Sequence, residues 1–67
     1  MQYIHPNARI GKDVKIGMFT VIHEDVEIGD GCVIGSNVVI HPGTKIGRFV
    51  RIDDGTVIGK MPMRSPR

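Results

Sequence analysis

Three histidines, His5, His23 and His41, recur eighteen residues apart, and each directly follows an isoleucine. Imidazole changes charge near neutrality, which suits it to proton transfer, and three imidazoles are also a familiar ligand set for zinc. Other reactive side chains are few. Cys32 is the single cysteine, so it forms no intrachain disulfide, and no Cys/His spacing matches a structural zinc site. The acidic neighbours Glu24-Asp25 and Asp53-Asp54 stand beside turn residues, and adjacent side chains point apart, so each pair reads as a turn rather than a carboxylate dyad. What the histidines can do depends on the elements that bring residues eighteen apart together.

Those elements are legible in a strict period. All ten isoleucines lie six residues apart, from Ile4 through Ile10, Ile16, Ile22, Ile28, Ile34, Ile40, Ile46 and Ile52 to Ile58. Four residues after each comes a second restricted set, Ala8, Val14, Thr20, Val26, Cys32, Val38, Thr44, Val50, Thr56 and finally Pro62. Side chains alternate along a strand, so Val14 and Ile16 face inward while Lys15 faces out. The residues between strands have turn chemistry: Pro6-Asn7, Lys12-Asp13, Glu24-Asp25, Asp30-Gly31, Ser36-Asn37, Pro42-Gly43 and Asp54-Gly55. Asn, Asp or Gly occupies the second position, where a positive φ is expected. Met18-Phe19, Arg48-Phe49 and Lys60-Met61 break the rule and predict altered or extended corners, because bulky residues disfavour that conformation.

Outward positions repeat every eighteen residues, so three strands make one coil of a triangular prism, with coils about 4.7–4.9 Å apart. Residues 1–59 form the coils, and 60–67 are a tail or the start of an external loop. One face carries Tyr3, Val21, Val39 and Val57 beside His5, His23 and His41, which is more apolar than a solvated sheet needs. These seven residues are the predicted subunit interface of a homotrimer. A second face carries Arg9, Glu27 and Lys45, whose alternating sign predicts cross-strand ion pairs. The third, with Lys15, Val33 and Arg51, is mixed and reads as mostly exposed. One histidine per coil leaves neighbours too far apart for zinc ligation at about 2.0–2.1 Å without tilting, so no metal site is expected.

Composition excludes other classes. A single alanine and no leucine, against ten isoleucines, argue for strands over helices. Residues 1–59 hold six Lys/Arg against seven Asp/Glu, and the positive surplus, Lys60, Arg64 and Arg67, lies at the end. No nucleic-acid footprint is expected. No apolar run approaches the roughly 20 residues of a membrane span, and the repeat starts too early for a signal peptide, so the chain reads as cytoplasmic. At 67 residues it is one domain with a marginal core that needs self-association.

The strings IHPNARIGKDVKIG, VEIGDGCVIGSNVVIHPGTKIG and GTVIGK resemble the N-terminal coils of the hexapeptide-repeat acyltransferases. The resemblance implies an all-β fold, a single-stranded left-handed parallel β-helix, although crossovers are usually right-handed. It also implies a homotrimer with active sites between prisms, and acetyl-CoA or another acyl-CoA as co-substrate rather than a bound cofactor. A histidine in the cleft is the general base on the amine or hydroxyl of a small-molecule acceptor, such as a sugar or nucleotide-sugar. His41, then His23, are the candidates if one is catalytic, although packing at the interface is the simpler account of all three histidines. Lys60 and Arg64 are the candidates for contacting cofactor phosphates. Members of the family continue for several more coils, so this chain reads as a fragment of an acyltransferase. The alternative is a trimerising module without catalysis.

Overall fold

The computed structural model describes residues 1–59; the expectations for the tail, for the Lys60-Met61 corner and for Lys60 and Arg64 fall outside the described residues. Ten two-residue strands follow one another: β1 (Tyr3–Ile4), β2 (Arg9–Ile10), β3 (Lys15–Ile16), β4 (Val21–Ile22), β5 (Glu27–Ile28), β6 (Val33–Ile34), β7 (Val39–Ile40), β8 (Lys45–Ile46), β9 (Arg51–Ile52) and β10 (Val57–Ile58). Each pairs in parallel with the strand three places on, giving a first sheet β1-β4-β7-β10, a second β2-β5-β8 and a third β3-β6-β9. The register is eighteen throughout, as in Ile4↔Ile22 and Ile22↔Ile40. The chain is therefore a β-solenoid of about three coils. None of its described residues forms a helix long and apolar enough to cross a membrane.

The inward set builds the core. Ile22, Ile28, Ile34, Ile40 and Ile52 are buried with Val26, Val38 and Cys32, while Ala8, Ile10, Val14, Ile16, Ile46 and Ile58 pack partly buried against them. Ile4 is 37% exposed, since it stands in the end coil with covering on one side only. Thr20 is fully buried; its hydroxyl donates to the Gly35 carbonyl at 2.8 Å and accepts from the Val38 N–H at 3.3 Å, so its polar atom is satisfied. Cys32 sits in the equivalent place and its thiol donates to the Gly47 carbonyl at 3.0 Å.

The corners correct one expectation. Phe19 and Phe49 do not alter or extend their turns; both take the left-handed conformation, with φ of 59° and 57°, as Asp13, Asp25 and Asn37 do. The cause lies in the stacking of coils. The second corner residue donates its N–H to the first corner residue one coil earlier, as in Asn37 to Met18 at 2.9 Å, Phe49 to Asp30 at 2.9 Å and Gly55 to Ser36 at 2.9 Å. That ladder requires every coil to turn alike, and it outweighs a side-chain cost of about 1–2 kcal/mol. Asn7 departs the other way, outside the positive-φ set. There the Asp25 N–H bonds the Asn7 side-chain oxygen at 2.9 Å, and the Asn7 amide donates to Asp25 Oδ1 at 3.2 Å. A side-chain rung replaces the backbone one.

The expected charge pairs of the second sheet are in register, Arg9↔Glu27 and Glu27↔Lys45. Among the described residues, however, the ion pair within 4.0 Å is Arg51–Asp53 at 3.6 Å, both exposed. Long side chains on a solvated face gain little from holding one geometry, so register does not enforce contact.

Candidate functional site

The first sheet positions the histidines. On each strand the outward residues flank an inward-facing isoleucine, and parallel pairing at a constant register stacks like on like. Tyr3, Val21, Val39 and Val57 form one column; Tyr3 and Val57 are exposed, whereas Val21 and Val39 are half-buried. His5, His23 and His41 form the next column, all half-buried.

The three imidazoles are not equivalent. The rings of His23 and His41 stack nearly parallel, centroids 5.7 Å apart and planes 7° apart. His5 is instead tied to its own turn, its Nδ1 accepting the Asn7 N–H at 3.2 Å. In neutral His5 that bond leaves the proton on Nε2, so the outer nitrogen is a donor rather than a base. The His41 turn differs, because the Gly43 N–H goes to the Glu24 carbonyl at 3.1 Å and the Thr44 hydroxyl closes on the His41 carbonyl at 2.8 Å. The sequence motifs Ile-His-Pro at 4–6 and 40–42 are alike, yet their surroundings separate the histidines chemically.

Of the seven residues expected at an interface, all lie on this one sheet face. A neighbouring feature escaped the sequence reading. Phe19 joins Met1, Gln2, Tyr3, Thr20 and Val21 around a shallow apolar groove of about 380 Å³, carrying the apolar surface past the edge of the sheet. The signal was present in Met18-Phe19, two bulky residues where a turn favours Asp, Asn or Gly. Among the described residues, no group of three or more His, Cys, Asp or Glu side chains is placed to hold a metal ion.

The family model described as bacterial transferase hexapeptide (six repeats) matches residues 7–42 and 31–60, together most of the chain. The chain belongs to this family. No curated protein matches the chain significantly. The matched hexapeptides coincide with the strands and corners described above, so the family pattern and the solenoid are one feature: an isoleucine that fills the core, a turn, and a small residue that fits beside the next isoleucine.

Proposed function

We propose that this hexapeptide-repeat chain is part of an acyltransferase that moves an acyl group, acetyl in the first instance, from a coenzyme A thioester to a small-molecule amine or hydroxyl. A sugar or nucleotide-sugar is the acceptor class we favour, and the working form is a homotrimer with clefts between prisms. The observation that carries the reading is the stacked His23–His41 pair on the apolar face of a transferase-family solenoid. His41 is the general base and His23 its neighbour in the column. His41 takes a proton from the acceptor, whose nitrogen or oxygen attacks the thioester carbonyl carbon. The tetrahedral adduct then collapses, the C–S bond breaks, and the thiolate leaves as free thiol after taking the proton back from the imidazolium. His5, with Nδ1 occupied by the Asn7 N–H, turns a protonated Nε2 outward when neutral and is not assigned the role. Lys60 and Arg64 supply positive charge for the cofactor phosphates.

The test is thiol release from acetyl-CoA in the presence of mixed amino sugars, run beside sedimentation. Turnover should fall at least about a hundredfold in His41→Ala, the usual contribution of a general base, and persist in His5→Ala. A trimer without turnover on acetyl or longer acyl donors would overturn catalysis and make the chain a structural module.

A further inference from the structure

The apolar groove at the corner between the third and first sheets points to how copies of the chain meet. That corner is built from Met18-Phe19, Ser36-Asn37 and Asp54-Gly55. Met18 and Phe19 are 56% and 62% exposed, and Phe19 holds its side chain on a left-handed backbone. An exposed, strained phenylalanine continuous with an apolar sheet face marks surface that another molecule covers.

Symmetry narrows the choice. A closed threefold ring is heterologous, so each copy presents two different surfaces, and for a three-sided prism these are two faces meeting at the edge nearest the axis. With the first sheet as one surface, the axis runs along one of its two bordering corners. The corner to the second sheet carries Glu24 and Asp25, and three copies of it would crowd carboxylates around the axis. The other corner carries Met18 and Phe19 and a single carboxylate, Asp54, which accepts the Ser36 N–H at 2.7 Å much as Asp25 accepts from the Asn7 amide at the first.

With the Met18–Phe19 corner innermost, the first sheet of one copy faces the third sheet of the next. The bulky column of Tyr3, Val21, Val39 and Val57 then opposes Gly17, Gly35 and Asp53. The acidic Glu24-Asp25 corner opposes an edge where Lys12, Lys15, Arg48 and Arg51 outnumber Asp13 and Asp30, so that edge is net basic. Gly11, Gly29 and Gly47 of the second sheet would also receive the bulky column, but packing against that sheet would leave Glu24 and Asp25 at the axis with no basic edge opposite, so charge decides for the third sheet. We propose that a second copy of this chain covers the groove, the Met18–Phe19 corner lining the threefold axis and each first sheet packing on the neighbour's third. This rests on the trimeric reading above.

Two substitutions separate the interface from the fold. Phe19→Asn and Phe49→Asn both put a residue tolerant of positive φ at a strained corner, but Phe49 lies on the corner opposite the first sheet. Sedimentation of the full chain over a concentration series should show Phe19→Asn weakening trimerisation at least about tenfold, as loss of a buried aromatic anchor does. Phe49→Asn should leave it within about twofold of the parent, and circular dichroism should match for all three. An unchanged trimer in Phe19→Asn, or equal dissociation in Phe49→Asn, would overturn the placement of the axis while leaving the trimer intact. A parent chain that stays monomeric at every concentration would overturn the trimeric reading itself, and this inference with it.

Discussion

Gly35→Ala tests whether glycine after isoleucine is needed for space rather than for backbone freedom. A Cβ on Gly35 would lie 2.7 Å from the Asp54 nitrogen and 3.0 Å from its Cα, and would run into its Oδ1. The nitrogen and Cα are backbone, so no side-chain rotation relieves them. Restoring an ordinary contact of 3.4 Å requires the coils to part by about 0.7 Å. The Gly35 N–H to Ile52 carbonyl bond, now 2.8 Å, would stretch to the limit of hydrogen bonding, and the Ser36 N–H to Asp54 bond at 2.7 Å would be displaced. Two weakened bonds at about 1 kcal/mol each, with overpacking of about 1–3 kcal/mol, give a loss of roughly 3–5 kcal/mol. That is a large part of the roughly 3–10 kcal/mol expected for 67 residues. Gly31 is the comparison: its φ is +72°, and the atoms its Cβ would meet belong to the exposed ring of Phe49, which can swing away. Gly31→Ala should therefore cost only about 1–2 kcal/mol, and Gly31→Asn less still, since Asn accepts the left-handed conformation. Urea titrations followed by circular dichroism at one protein concentration give the order. Equal losses at the two glycines, or rescue by asparagine at both, would refute the reasoning.

Ile40→Ala removes a fully buried side chain and should cost about 2–5 kcal/mol, against under about 1 kcal/mol for Ile4→Ala in the open end coil, both read from urea midpoints. Thr20→Val deprives the Gly35 carbonyl and Val38 N–H of a buried hydroxyl and should cost about 1–3 kcal/mol. Cys32→Val gives up only a weak S–H donor to the Gly47 carbonyl and should cost less in the same titration, while Cys32→Thr should come within about 1 kcal/mol of the parent.

The legible part of the fold is the part that depends on local alternation and period. Ile22, Ile34 and Ile40 are inside because residues two apart share a face and every six-residue unit ends in the same turn. Thr20 and Cys32 were assigned inward on the same ground and are fully buried. The column of histidines follows from spacing alone. What spacing does not carry is the rotamer and hydrogen-bond state of each ring, so the stack of His23 on His41 and the capture of His5 by the Asn7 N–H could not be read from it.

The remaining differences have one source. The period alone determined the strands, the inward set, the eighteen-residue register and the apolar face, because each is a property of a short segment repeated. The stacking of coils decided the rest: whether Phe19 and Phe49 are held in a conformation they disfavour, which glycine is cramped, and whether Glu27 reaches Arg9 or Lys45. Those outcomes depend on the residue eighteen positions away, which meets its partner only when the neighbouring coil is laid against it about 4.8 Å distant.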